Sequence, residues 1–168
     1  MGAGYHGGFG KTKGEKSHQR LAEEKRKKTL IDPKIVLEME RNNWKFTKEN
    51  LIFTAKDKMG QIIFMESGND GAGLMHIKKR HVREFFEAFN VREEVISLFL
   101  YKVICWGDIV DMHIEIRNGK EAVTKVYDYQ GAYYILTGVG TNGFIVTARP
   151  AKKGVNHEND KITIGLFK

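Results

Sequence analysis

Beyond Gly107 the chain changes its period, and that change limits the possible folds more than any other feature. Met112 to Arg117 alternates, Asn118-Gly119 follows, and Ala122 to Tyr127 alternates back. Asn-Gly between alternating runs is the strongest short hairpin signal, because both residues accept the positive φ of a tight turn. Gln130-Gly131 then turns the chain into Ala132 to Thr137, and Gly140-Thr141-Asn142-Gly143 turns it into Phe144 to Arg149, closed by Pro150. Connections this short join only antiparallel neighbours. A four-stranded antiparallel meander is expected, with Lys161 to Phe167 a candidate further edge strand.

The chain before Gly107 is mainly helix-periodic. Asp32-Pro33 is a helix entry signal, Asp as N-cap and Pro at the first helical position. Ile35, Val36 and Met39 give that helix an apolar face, and Asn42-Asn43 ends it. Residues 51–56 and 61–65 are β-prone runs around Lys58-Met59-Gly60, read as a hairpin. Ser67 to Gly71 is a loop leading into a helix over 73–89. At about 100° per residue its Leu74, Ile77, Val82, Phe85, Phe86 and Phe89 form a core face. A shorter helix over 91–102 follows. Helices first and an antiparallel sheet afterwards make an α+β domain, with the 73–89 helix packed on one face of the sheet.

Charge divides the chain. The formal net charge is +7, but residues 1–30 hold eight Lys/Arg against three Glu, and residues 31–168 hold twenty against eighteen. Residues 1–30 are therefore read as a basic, glycine-rich flexible arm, and 31–168 as a single domain whose body is nearly neutral. Within the arm, residues 17–28 are a candidate charged helix. Gly10-Lys11-Thr12 is not a P-loop, because the required first glycine falls on Tyr5 and no strand precedes it. The lone Cys105, in Val-Ile-Cys-Trp, excludes an intrachain disulfide and reads as a small buried hydrophobe. No apolar run approaches the roughly 18 residues that span a bilayer, and no h-region of a secretory signal is read at the N-terminus.

The densest chemistry lies in Gly73-Leu74-Met75-His76-Ile77-Lys78-Lys79-Arg80-His81. Imidazoles titrate near neutrality, so a pair can act as general base and general acid in one reaction. RNA carries its own nucleophile, the 2′-hydroxyl, so a metal-free ribonuclease needs only that pair and cations for the developing charge. His76 and His81 are the candidate pair, with Lys79 and Arg80 beside them. Strand residues Thr147 and Arg149, which alternate and share one face, and Lys125 and Tyr134 are candidates for the remainder. On the helix His81 falls in the core-facing sector, where an imidazole is ordinarily a packed side chain, and His76 falls among the cations. Five residues put the two roughly 140° apart, so they are not expected to share a face. That spacing also argues against a two-histidine metal site, which needs about three or four residues. A metal-dependent DNase lacks an adequate set of ligands, and no cofactor is expected. His113, on the strand before Asn118-Gly119, is a third histidine candidate.

The run at 73–81, the Phe-rich helix after it and the strand Gly-Phe-Ile-Val-Thr-Ala-Arg-Pro at 143–150 resemble the barnase–EndoU–colicin–RelE group of toxin nucleases. The likeness is to versions found as C-terminal modules of polymorphic and phage-associated toxins, and it covers roughly residues 45–150. It implies helices before a four-stranded antiparallel sheet with the active site in the cleft between them, and metal-independent cleavage of RNA, often tRNA. By position His76 and His81 match the group's His-Ile-x-x-x-His pattern, and Thr147 and Arg149 match its polar late-strand positions. The resemblance also implies export from a bacterium within a larger effector, action in the target-cell cytoplasm, and an acidic immunity protein covering the cleft. A monomer with no membrane partner is expected. The alternative is a non-catalytic nucleic-acid-binding module that uses the basic arm.

Overall fold

The computed structural model describes residues 30–117 and 119–152. The arm, the charged helix over 17–28 and the strand over 161–167 lie outside the described residues. Helix α1 (Pro33–Arg41) starts as its sequence demands: the Asp32 carboxylate accepts from the Lys34 amide at 2.8 Å, with Pro33 next. Ile35 and Met39 are buried beneath it. Strands β1 (Leu51–Lys56) and β2 (Ile62–Glu66) form an antiparallel hairpin. Helix α2 (Gly73–Phe89) ends at Asn90, whose φ of 55° breaks the helical path. Helix α3 (Ile96–Trp106) leads into β3 (Asp108–Arg117), β4 (Lys120–Tyr129), β5 (Tyr133–Gly140) and β6 (Ile145–Pro150). These last four strands pair in sequence order, each antiparallel to the next, so the α+β meander is present.

Two expectations need correction. The helix placed over 91–102 begins later and runs further, because a 3-10 turn over Glu93–Val95 precedes it and the apolar run through Cys105-Trp106 stays helical until Gly107 turns extended. Phe86, expected on the core face from its spacing, is 52% exposed. It lies at one rim of the apolar sector, and the buried side is shifted toward the opposite rim, where Ile77 lies, with Phe85 between them.

The main core lies between the helices and one face of the meander. Ile77 and Phe85 of α2 and Ile96, Leu100, Val103 and Ile104 of α3 meet Tyr127, Ile135, Val139, Ile145 and Ala148 of the sheet. Helix α2 rides along β6, whereas α3 covers β4 and β1. In β6 the register slips: Thr147 opposes Gly138 and Ile145 opposes Val139, which leaves Val146 as a bulge. The extra residue lets Ile145 and Ala148, an odd number of positions apart, both enter the core. A smaller cluster of Ile35, Met39, Leu51, Ile62 and Phe64 sits under α1. The two sheets meet where the Phe64 amide donates to the Gly143 carbonyl at 2.9 Å. At Gly143, with φ of 84°, a Cβ would lie 2.1 Å from the Ile62 carbonyl oxygen, so only glycine fits this seam.

Asp57 fastens the hairpin to the meander. Its Oδ1 accepts from the amides of Met59 and Gln61, each at 3.0 Å, which shapes the β1–β2 turn. Its Oδ2 accepts from the Lys125 ammonium at 2.5 Å and from the Tyr127 hydroxyl at 3.3 Å. The pair is enclosed, with Lys125 only 1% exposed. Burial, together with the Asp57 charge, holds the Tyr127 phenol far above its ordinary pKa. Removing one partner would strand the other charge in the interior. Asp57→Ala is therefore expected to lower unfolding free energy by about 3–5 kcal/mol in urea denaturation.

Candidate functional site

The start of α2 is set by a folded-back loop. The Asn69 amide donates to the Ala72 carbonyl at 2.8 Å and the Met75 amide to the Ser67 carbonyl at 2.9 Å. Gly68 and Gly73 approach so closely that a Cβ on Gly68 would lie 2.0 Å from the Ala72 carbonyl oxygen. This turn brings Asp70 over the first helical turn. There the His76 Nδ1–H donates to the Asp70 carbonyl at 2.8 Å, and Lys79 pairs with the Asp70 carboxylate. A carbonyl can only accept, so this contact puts the proton of a neutral His76 on Nδ1 and leaves Nε2 as the basic atom.

One turn on, the His81 Nδ1–H donates to the Glu84 carboxylate at 2.9 Å. Its Nε2 is likewise left over, and neither histidine's Nε2 has a hydrogen-bond partner among the described residues. The two rings lie 5.8 Å apart, centroid to centroid, edge to face. This corrects the expectation that the histidines cannot share a face. The angle between successive Cβ directions ignores the reach of the ring. Helical side chains lean toward the N-terminus, so His81 lies over the preceding turn, where it meets His76. His81 is nonetheless partly sunk, with a side chain 17% exposed. Arg80 follows His76 at a spacing of four and is exposed on the same flank. On the other flank Lys78 is within 3.5 Å of Glu93.

The strand candidates lie elsewhere. Thr147 and Arg149 alternate with the buried Ala148, so they occupy the sheet face turned away from α2 and α3. That open face holds a cleft of about 1080 Å³, lined by Thr124, Leu136, Gly138, Thr147 and Arg149 from the sheet and by neither helix histidine. Thr147 stands in a cross-strand row, His113–Thr124–Gly138–Thr147, one residue from each strand. Its hydroxyl is buried without a hydrogen-bond partner among the described residues. His113 is 6% exposed, its Nε2 held at 2.5 Å by Asp111. Tyr134 donates to Asp128 at 3.0 Å. Lys125 points to the opposite, helix-covered face and is held by Asp57 and Gln61. The structure thus brings His76, His81, Lys79 and Arg80 together, and Thr147 with Arg149, but does not join the two groups. Lys125 belongs to neither.

Sequence reasoning missed the rest of the cleft wall. Trp44 and Lys45 arrive from the loop after α1, and Lys120, Glu121, Asn142 and Glu115 complete it. The Asn142 side chain donates to the Lys45 carbonyl at 3.3 Å, and Trp44 stacks on Phe64 with ring centroids 6.5 Å apart. No spacing pattern links positions this distant in the chain. Among the described residues no three His, Cys, Asp or Glu side chains group as a metal site would require.

The Asp70 carboxyl titrates below its usual value of 3.8, chiefly through the hydrogen bond and charge of Lys79, with smaller help from Arg80 and His76. A depressed folded-state pKa gives stability that is present above pH 3.8 and lost as pH falls through the lower folded value. Lys79→Met is expected to move the Asp70 titration back up toward 3.8, observed by carboxyl-carbon NMR.

No family model and no curated protein matches this sequence.

Proposed function

We propose that this chain is a metal-independent endoribonuclease whose acid and base are His76 and His81. The observation that carries the proposal is the 5.8 Å pair of imidazoles, each with Nδ1 held by a fixed acceptor and Nε2 left for chemistry. His76, whose Nδ1–H faces a neutral carbonyl, is assigned as the base. Its Nε2 takes the proton of a ribose 2′-hydroxyl while that oxygen attacks phosphorus. His81, whose Nδ1 is held by the Glu84 carboxylate, is assigned as the acid. Its Nε2 proton passes to the 5′-oxygen as the P–O5′ bond breaks. The products are a 2′,3′-cyclic phosphate and a 5′-hydroxyl end. Lys79 and Arg80, one helical turn from His76, supply positive charge to the phosphorane-like transition state. No cofactor takes part in this scheme.

A nuclease of this kind, acting on tRNA or another RNA in a target-cell cytoplasm, would need an acidic immunity protein in the cell that makes it. The cation-rich flank of α2, with Lys79, Arg80 and Arg83 exposed, is the surface such a protein would complement. Purified protein incubated with total RNA in excess EDTA is expected to yield cyclic-phosphate ends. His76→Ala and His81→Ala are each expected to slow cleavage by about 10²–10⁴-fold while the thermal melt is retained. RNA left intact by the wild type, or cut equally well by both variants, would overturn the proposal.

A second reading is favoured by the open-face cleft. Trp44, Lys45, Lys120 and Arg149 offer a stacking surface and cations suited to single-stranded nucleic acid without chemistry. Under it Trp44→Ala would weaken binding of a single-stranded oligonucleotide by about 1–3 kcal/mol, measured by fluorescence anisotropy, and no cleavage would occur. The basic arm expected to serve that purpose lies outside the described residues.

A further inference from the structure

Strand β3 is one outer edge of the meander, and among the described residues nothing pairs with its free side. Sheet edges are ordinarily blunted by charged side chains (lysine above all), proline, bulges or short length, since unpaired amides and carbonyls recruit another strand. Here the edge reads Asp-Ile-Val-Asp-Met-His-Ile-Glu-Ile-Arg, with neither lysine nor proline. Its one irregularity lies near the start, between Ile109 and Asp111, and the run from Asp111 to Arg117 is regular against β4. Apolar side chains along it are left in water: Ile116 is 75% exposed and Ile114 38%, with Trp106 of α3 also exposed nearby in the chain.

The order of charges on this edge fits its own copy. In a twofold antiparallel pair, residues standing opposite must lie on the same face, so the dyad passes through a residue. A dyad at His113 would set Asp111 against Glu115, and a dyad at Glu115 would set that carboxylate against itself. Like charges directly opposite destabilise a strand pair. A dyad at Ile114 avoids both conflicts. It places His113 opposite Glu115 on one face, and Met112 opposite Ile116 with Ile114 against itself on the other. Dyads nearer either end run into the bulge or the turn and pair fewer residues.

We propose that the chain forms a twofold dimer through antiparallel pairing of β3 with β3 of a second copy, with the dyad at Ile114, in place of the monomer expected from sequence. The pairing joins the two meanders into one continuous sheet. It covers the exposed isoleucines and uses the backbone groups of the free edge. It involves none of His76, His81, Lys79 or Arg80, so it stands or falls independently of the ribonuclease proposal.

Cysteine pairing in the full chain, in a Cys105→Ser background, reads the register directly. Opposed Cβ atoms lie about 5 Å apart, near enough for a disulfide with small backbone adjustment, whereas displaced ones are not. Under diamide, Ile114→Cys is expected to cross-link to twice the chain mass, and Ile116→Cys alone is expected to remain uncross-linked. Mixed Met112→Cys and Ile116→Cys chains should cross-link to each other. Independently, light scattering should give a dimer for the wild type, and Ile116→Asp should raise its dissociation constant about tenfold or more without changing the thermal melt of the monomer. A wild-type monomer at the highest soluble concentration would overturn the proposal. So would equal cross-linking at positions 114 and 116, or a dimer indifferent to Ile116→Asp. The first of these would leave the edge to another part of the chain or to a different protein.

Discussion

The Asp57–Lys125 ion pair is the contact on which the arrangement of the two sheets most depends. One carboxylate shapes the β1–β2 turn through two amides and reaches across the core to an ammonium on the central strand β4. Its partners are separated by 68 positions in sequence, so the bond can form only once the hairpin and the meander are docked. Burying two charges is costly, and their attraction offsets the desolvation only with good geometry and further hydrogen bonds. Gln61 and Tyr127 supply those bonds. A lysine that reads as a substrate contact in an alternating strand is thereby committed to the interior.

A second constraint is steric and decides where α2 lies. Gly143 admits the Ile62 carbonyl, and Gly68 and Gly73 let the loop before α2 fold onto itself. Between them these approaches set β2 beside β6 and start α2 above β6. The bulge at Val146 then turns Ile145 and Ala148 to the helix together and sends Thr147 and Arg149 to the open face. One strand therefore serves two surfaces: a helix-bearing side that displays the histidine pair at its margin, and an open side with a polar-edged cleft.

Local features were legible because their causes are local. The Asp32-Pro33 entry, the Asn42-Asn43 stop, the turns at Gln130-Gly131 and Gly140 to Gly143 and the period change at Gly107 each follow from a few neighbouring residues. The two histidines could be singled out by residue type, but their contact could not. Side chains do not radiate straight from the helix axis, and an imidazole leaning back along the helix covers a full turn. Phe86 shows the same limit from the other direction, since periodicity marks an apolar stripe without saying how much of it a neighbour will cover.

By itself the sequence determined the order and type of the elements and the meander, because propensity, capping and turn chemistry act over a few positions. Only the tertiary structure decided which face of the sheet each strand residue serves. That choice separated Thr147 and Arg149 from the histidines, buried Lys125 and assembled a cleft wall from Trp44, Lys45 and Asn142. A strand's alternation fixes two faces but not which of them the helices cover. The covering is settled by contacts between distant segments that no local pattern records.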